Sequence, residues 1–370
     1  MIRLEKMLEV PSRYQEISVS AERIVGLKVT FPQDHEEFHL DLLDKEGKLV
    51  KEFGRDYQLR RPSHLYRCLN PFEDGTSRVD PLEILGHYVT LPFQAAYNLV
   101  TLPAQKRFVG GLRQSLDHLW EPTSIAATAD RLFILDQQSS TLLGPRHDFE
   151  NTDVSLAVFD KEGNPLKKTL KTGADPGDVN LSEVIPSPAL IRAFEDKLIL
   201  ADCGGGRMQE FDLEGNFVRV LADDIPGRIA YGYSDFAVGS SGAYLALISG
   251  EGGDWDTVVR VTLDGELTMH NLGSDLGLVS GLAVSEDNVF IRSRNEILTY
   301  TSNMKLKERT PIEGIPEDGY SADWDIEHNL EFHQGRLYLP ALHFGEWLPT
   351  SDRVSYRGPS QSYIFQFSTE

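Results

Sequence analysis

Short apolar runs alternate with polar positions along most of the chain, a pattern typical of β-strands with one buried face. Four segments share one arrangement, in which an apolar strand leads into a tight Asp/Gly turn and a second strand follows. They are 38–54 (FHLDLLDKEGKLVKEFG), 155–173 (SLAVFDKEGNPLKKTLKTG), 208–223 (MQEFDLEGNFVRVLAD) and 258–273 (VVRVTLDGELTMHNLG). Because Asp accepts backbone hydrogen bonds in the turn and Gly adopts positive φ, each segment predicts a β-hairpin.

The hairpins recur at spacings of roughly 40 to 60 residues, the period of a four-stranded propeller blade. Weaker copies lie at 97–112 and 297–310, and further strand pairs precede the hairpins at 122–136, 188–202, 234–249 and 280–293. The sequence therefore predicts an all-β fold, a seven-bladed β-propeller that occupies residues 1–370 as a single domain. Six blades are the alternative, because the second predicted blade, at about 58–115, is irregular and contains an insertion at 56–81.

The two ends of the chain complement each other. The last blade, with strands at 329–342 and 362–368, lacks an outer strand, whereas residues 1–10 have strand character without a nearby partner. Pairing Tyr363–Thr369 with Ile2–Val10 regenerates the repeat and removes exposed sheet edges. We therefore expect the N- and C-terminal strands to close one blade together.

Residues 188–221 (PALIRAFEDKLILADCGGGRMQEFDLEGNFVRVL) resemble an NHL-type propeller repeat. The resemblance lies in the LILAD strand, the Gly-rich loop that ends at Arg207 and the hairpin that follows. It extends over one blade, about a tenth of the chain, and lacks the usual glycine after the opening proline. It implies the propeller fold, but it does not select a function, because that superfamily includes hydrolases, lyases and interaction modules.

The chain is strongly acidic, with a net charge of -21. Nucleic acids and anionic membranes bind basic surfaces, so we expect neither as a partner. Basic proteins, amines and metal cations are compatible with this charge, and we expect a small organic ligand or a basic protein as the partner. The first 13 residues lack the apolar stretch of a signal peptide, which predicts a cytoplasmic location, and Cys68 and Cys203 lie in no CxxC motif, which predicts free thiols.

All four tryptophans lie beside acidic residues, a combination that attracts cations and suits sugar or amide ligands. In the predicted propeller they fall in loops between blades, or between second and third strands, which emerge on one face and converge on the central channel. The candidate ligand-binding residues of this face are Trp120, Glu121, Arg207, Tyr231, Tyr233, Asp235, Asp254, Trp255, Asp256, Arg292, Asp323, Trp324, Glu346 and Trp347. The structural alternatives are that the tryptophans seal the interfaces between blades and that Arg207 pairs with an acid on a neighbouring blade.

Candidate catalytic chemistry is sparse. His343 ends a predicted strand and is the candidate general acid or base, with Asp325 to orient it or to hold a cation. The alternative is an ordinary polar residue on a half-exposed strand. Residues 35–39 match the HExxH zinc motif, but that motif needs a helix and the repeat places residues 38–43 on a strand.

No recognisable cofactor or nucleophile motif is present, and the glycines at 204–206 lack the strand–helix context of a dinucleotide-binding loop. A divalent cation held by Asp235, Asp323 and Asp325 is the one metal hypothesis, since hard cations prefer oxygen ligands.

Two functional hypotheses follow from these residues. The first is a funnel for a small organic molecule, lined by aromatic and acidic residues, in which the sequence leaves catalysis open. The second is a protein-interaction scaffold whose acidic rim docks a basic partner.

Overall fold

The computed structural model describes most of the chain. The described residues are 2–30, 37–54, 119, 122–139, 152–179, 189–202, 204–225, 233–247, 257–273, 279–293, 296–312, 324–326, 329–343, 347–348, 356–357 and 360–369. Within these ranges every regular element is a β-strand, and no helix is long and apolar enough to span a bilayer.

Six antiparallel sheets form the blades of a β-propeller. Strand β1 (Arg3–Val10) belongs to the sixth blade. The first blade contains β2 (Glu16–Val19), β3 (Ile24–Thr30), β4 (Glu37–Leu43) and β5 (Leu49–Phe53). The second contains β6 (Pro122–Ala127), β7 (Arg131–Ser139), β8 (Thr152–Asp160) and β9 (Pro165–Leu170). The third contains β10 (Leu190–Phe194), β11 (Lys197–Asp202), β12 (Arg207–Asp212) and β13 (Phe217–Ala222).

The remaining blades follow in chain order. The fourth contains β14 (Tyr233–Gly239), β15 (Gly242–Leu247), β16 (Thr257–Val261) and β17 (Leu267–Asn271). The fifth contains β18 (Val279–Val284), β19 (Asn288–Ser293), β20 (Glu296–Thr301) and β21 (Leu306–Pro311). In the sixth, β22 (Trp324–Ile326) and β23 (Glu331–His333) both pair with β24 (Arg336–His343), and β27 (Gln361–Ser368) follows it. A short hairpin, β25 (Trp347–Leu348) and β26 (Tyr356–Arg357), lies between β24 and β27 in the chain.

The innermost strands make a closed ring, in which each of β2, β6, β10, β14, β18 and β23 contacts the next and β23 contacts β2. Blades one and two are therefore direct neighbours. The Phe53 ring meets the Phe159 ring edge-on with centroids 5.2 Å apart, and Lys51 Nζ donates to the carbonyl oxygens of Glu162 and Gly163 at 3.0 Å.

The prediction of seven blades is consequently wrong, and the alternative of six is confirmed. A blade at 58–115 would have to separate two sheets that pack against each other. That segment, including the predicted insertion at 56–81, lies outside the described residues.

The predicted closure by the two ends of the chain is confirmed. Strand β1 pairs antiparallel with β27, from Arg3 opposite Ser368 to Val10 opposite Ser362. Leu8 and Val10 are buried in the same apolar cluster as Ile364, and Arg336 on β24 forms an ion pair with Glu5 at 3.0 Å. The outer strand of the sixth blade thus comes from the opposite end of the chain.

The predicted hairpin chemistry is also present. In the third blade Asp212 Oδ1 accepts hydrogen bonds from the backbone N–H groups of Glu214 and Asn216, while Gly215 has a φ of 76°. The β4 strand begins at Glu37 and includes His39, so the second half of the HExxH match lies on a strand and not on a helix.

Candidate functional site in the central channel

Four charged side chains from four blades meet where the innermost strands begin. They are Glu16 on β2, Arg192 on β10, Asp235 on β14 and Glu331 on β23. Between 4% and 15% of each side chain is exposed. Blades three and six lie opposite each other in the ring, so the contact between Arg192 and Glu331 crosses the channel. We call these four residues the channel plug.

Arg192 is the centre of the plug. Its Nη1 lies 2.7 Å from Glu16 Oε1, its Nη2 lies 2.7 Å from Asp235 Oδ1, and its Nε lies 3.6 Å from Glu331 Oε1. The guanidinium also lies over the Phe236 ring, 5.7 Å from its centroid. The first two contacts are charge-assisted hydrogen bonds, whereas the third is a longer electrostatic contact.

Glu16 and Asp235 accept further hydrogen bonds, in each case including one from the backbone of the next inner strand. Glu16 Oε1 accepts from Ser124 Oγ at 3.0 Å and from the Ile125 N–H at 3.3 Å. Asp235 Oδ1 accepts from the Phe236 N–H at 2.7 Å, and its Oδ2 accepts from the Leu282 N–H at 2.8 Å. These carboxylates therefore join adjacent blades as well as neutralising Arg192.

Hydrogen bonds from the backbone of one inner strand to a polar side chain of its neighbour also occur at other junctions of the ring. The Ser124 hydroxyl accepts from the Ile191 N–H at 3.1 Å, and Asn329 Oδ1 accepts from the Ile17 N–H at 2.9 Å. A polar side chain of one inner strand thus binds the backbone of the next strand at four junctions of the described ring. Such bonds are strong inside a protein, where an unpaired backbone N–H is costly.

Glu331 differs from the other two acids of the plug. Its Oε1 is buried without a hydrogen-bond partner among the described residues, although the side chain keeps 15% of its surface exposed. Asn329, two residues earlier, is 4% exposed, and its Nδ2 is likewise buried without a partner in the described part of the chain. Leu330 between them packs into the apolar core. Because side chains alternate along extended backbone, Asn329 and Glu331 point away from that core.

Burial dominates the electrostatics of the plug. Desolvation raises the pKa of Glu331 to about 8 and that of Asp235 to about 6, and Arg192 offsets this only in part. Desolvation also raises the pKa of Glu16. The Arg192 guanidinium stays charged, because Glu16 and Asp235 outweigh its own desolvation and raise its pKa. Three carboxyl groups thus share one guanidinium, and burial raises the pKa of all three, including Glu331, the acid with the weakest contacts.

The residues predicted from the sequence fall into three groups, and the first comprises those whose side chains are described. Asp235 is part of the plug. Arg207 is buried, pairs with Asp202 on its own blade at 2.9 Å and donates to the carbonyl oxygens of Ala174 and Asp178. Arg292 is buried and its Nη1 donates to Ser280 Oγ at 3.0 Å, while His343 is half-buried at the end of β24. Both arginines are therefore bound by protein groups.

The second group comprises strand residues of which only the backbone is described, namely Tyr233, Trp324, Asp325 and Trp347. Trp324 is opposite His343 in the backbone register. The third group, Trp120, Glu121, Tyr231, Asp254, Trp255, Asp256, Asp323 and Glu346, lies outside the described residues. The aromatic and acidic rim therefore stays a prediction.

In the described part of the chain, no group of three or more His, Cys, Asp or Glu residues is arranged to hold a metal ion. Asp235, named in the cation hypothesis, directs both carboxylate oxygens to Arg192 and backbone N–H groups. The hypothesis of a cation on Asp235, Asp323 and Asp325 stays untested, since Asp323 and the Asp325 side chain are not described.

Sequence reasoning missed Glu16, Arg192 and Glu331. A signal for Arg192 and Glu331 exists in the inner strands once six apolar residues are aligned as equivalent positions, namely Ile17, Ile125, Ile191, Phe236, Leu282 and Leu330. In four of them, Ile17, Ile125, Ile191 and Leu282, the backbone N–H binds a polar side chain of the preceding blade. The residues that follow these six are Ser18, Ala126, Arg192, Ala237, Ala283 and Glu331. Four of the positions hold small side chains, and two hold long side chains of opposite charge on opposite blades. This contrast is visible only after the repeats are aligned.

Comparisons with known proteins add similarity of overall shape. No family model and no curated protein sequence matches the chain. A catalytically inactive variant of virginiamycin B lyase from Staphylococcus aureus, solved with quinupristin, aligns over 100% of both chains with 10% identity and a TM-score of 0.46. The selenomethionine-substituted lyase aligns over 68% of this chain and 95% of its own, with 12% identity and a TM-score of 0.38.

A chain of a nidogen/laminin complex aligns over 54% of this chain and 66% of its own length, just under two thirds, with 13% identity and a TM-score of 0.36. At these values the comparisons assign no function. The NHL-type assignment likewise stays a prediction, although residues 190–222 do form a four-stranded blade.

Proposed function

We propose that the protein binds a small organic molecule above the channel plug, at the face where the innermost strands begin. The loops that precede these strands in the sequence carry Trp120, Glu121, Tyr231 and Asp323, which we propose as walls of a funnel whose floor is the plug. Propeller channels are concave sites where loops from several blades converge, and such sites bind small ligands.

The observation that supports this proposal is the state of Glu331. Its Oε1 is buried without a hydrogen-bond partner among the described residues, while 15% of the side chain stays exposed. A protein that used the plug only to hold its blades together gains nothing from an unsatisfied carboxyl, because a buried polar group without a partner destabilises the fold. Perturbed carboxyl groups in clefts are enriched at functional sites, and the raised pKa of Glu331 fits that role.

A ligand screen tests this proposal. The wild type, Glu331→Gln and an exposed control, Glu266→Gln, are heated with amines, sugars, peptides and carboxylates while the unfolding midpoint is recorded. A ligand at about 100 times its Kd stabilises the folded state by about 2.7 kcal/mol, so a true hit gives a clear shift. We expect at least one class to raise the midpoint of the wild type and of Glu266→Gln, and to raise that of Glu331→Gln much less.

The result that contradicts the proposal is equally plain. If no small molecule shifts the wild type, or if every hit shifts Glu331→Gln equally, the plug is not the floor of a ligand site. A shift produced only by a basic polypeptide points instead to the acidic scaffold, for which the net charge of -21 is the supporting observation.

A further inference from the structure

The channel plug contains more negative than positive groups. Three carboxyl groups surround one guanidinium, and two of them, Glu16 and Asp235, already accept hydrogen bonds from both Arg192 and backbone N–H groups. Glu331 has only the 3.6 Å contact with Arg192 Nε. Among the three carboxyl groups, that of Glu331 is therefore the one without a hydrogen bond from a positive group in the described part of the chain.

A second, uncharged group in the same place also lacks a partner. Asn329 is 4% exposed, and the Ile17 N–H fixes the orientation of its amide, since that N–H needs the oxygen and not the nitrogen as its acceptor. Its Nδ2 is thus a donor with no acceptor among the described residues. Along extended backbone, Asn329 and Glu331 are about 7 Å apart on one side, close enough for one small molecule to contact both.

From these two groups we infer that the ligand of the channel carries a protonated amine that pairs with Glu331 and, next to the amine, an oxygen that accepts from Asn329. This inference rests on the proposed function, because it requires a molecule above the plug. Compact amino alcohols and amino amides have this chemistry. A carboxylate ligand lacks it, since it has no ammonium group for Glu331 and its charge is repelled by Glu16 and Asp235.

The charge of the whole protein also favours a ligand with a protonated amine. The net charge of -21 attracts cations toward the protein and slows the approach of anions. An ammonium group beside Glu331 lowers the pKa of that carboxyl group, so its proton leaves to solvent. The resulting carboxylate forms a charge-assisted hydrogen bond with the ammonium group, stronger than the bond a neutral hydroxyl makes there. An amine therefore gains more at Glu331 than a diol of the same shape.

Matched compounds test the inference. 2-Amino-1-phenylethanol, 2-phenylethylamine, 1-phenyl-1,2-ethanediol and mandelate share one ring and differ in charge and in the neighbouring oxygen. Binding to the wild type, Glu331→Gln and Glu266→Gln is measured by calorimetry, and urea unfolding of each variant verifies that it is folded. We expect the amino alcohol to bind at least 10-fold tighter than the diol, the amine without oxygen to fall between them, and Glu331→Gln to abolish this preference.

Each other outcome has a distinct meaning. If the diol or mandelate binds the wild type as tightly as the amino alcohol and binding weakens in Glu331→Gln, the amine assignment is overturned while the proposed function stands. If the two amines bind equally, the role of Asn329 is overturned. If none of the four binds, and the broader screen also finds no ligand that depends on Glu331, both proposals fail.

Discussion

At the residue scale, the plug shows how position decides the behaviour of identical groups. Glu16 and Glu331 are both glutamates near the same guanidinium. Glu16 Oε1 accepts hydrogen bonds from Ser124, Ile125 and Arg192, whereas Glu331 Oε1 has no hydrogen-bond partner in the described part of the structure. Burial therefore raises the pKa of Glu331 to about 8, and the folded protein holds a proton there at neutral pH.

This proton makes stability depend on pH. Below about pH 4.5 Glu331 is protonated in both the folded and the unfolded chain, so it contributes no difference. Between pH 4.5 and 8 the unfolded chain loses the proton first, which favours unfolding. Glu331→Gln has no such proton. As the pH rises from 4 to 9, we therefore expect its free energy of unfolding to increase by on the order of 4 kcal/mol relative to that of the wild type.

Urea unfolding of both proteins at pH 4 and pH 9 measures this gain. Only the difference between the two proteins is compared, since groups outside the plug titrate equally in both. A difference that stays constant across this range contradicts the assignment of the raised pKa to Glu331.

At the scale of the element, local sequence explains what could be predicted. The Asp/Gly hairpins were predictable because a turn is fixed by four or five consecutive residues, such as Asp212 to Asn216.

Contacts between residues that are distant in the sequence could not be predicted in the same way. Tyr14 is fully buried, its hydroxyl donates to Asp41 Oδ2 at 2.7 Å, and its ring lies against Gly26 on β3. No short-range pattern marks Gly26 as the one position of β3 that accommodates this ring.

The contact between Tyr14 and Gly26 has a measurable consequence. A Cβ on Gly26 would lie 2.4 Å from Tyr14 Cδ1, so the ring or the strand must move. We expect Gly26→Ala to lower the free energy of unfolding by about 1–3 kcal/mol, as overpacked cores do. Chemical unfolding of Gly26→Ala in the wild-type and Tyr14→Leu backgrounds gives the coupling. An equal loss in both backgrounds contradicts the clash.

At the scale of the whole molecule, closure of the ring was predictable but the number of blades was not. The closing strands are complementary in sequence, so residues 1–10 and 362–368 could be matched directly. The blade count depends on whether β2 contacts β6, across the long segment between Phe53 and Pro122. Strand-like patterns within that segment suggested a blade that the packing of Phe53 on Phe159 excludes. The contacts within the plug could not be predicted for the same reason, since Arg192 and Glu331 meet only when the ring closes.

Closure by β1 predicts a large effect of its removal. Deleting residues 1–10 withdraws the buried side chains of Ile2, Leu8 and Val10 and exposes the edge of β27. At about 1.5–3 kcal/mol each, these side chains contribute an amount comparable to the total stability of a typical domain. We expect the truncated chain to unfold far below the wild-type midpoint, and a peptide of residues 1–12 added in trans to restore part of the loss.

A peptide with Leu8→Ser and Val10→Ser is the control, and it should restore nothing. Truncation without a change in midpoint, or rescue by the control peptide, contradicts the role of β1.

The antiparallel pairing of β1 and β27 also determines how the propeller responds to force. Arg3 is opposite Ser368 and Val10 is opposite Ser362, so the start of β1 and the end of β27 lie at the same end of the pair. Tension applied between the N- and C-terminal strands therefore loads their hydrogen bonds one after another, beginning at Arg3, instead of all at once. Although many hydrogen bonds close the ring at equilibrium, they break one at a time under force. The sixth blade is therefore the first to open when the protein is pulled by its N- and C-terminal strands.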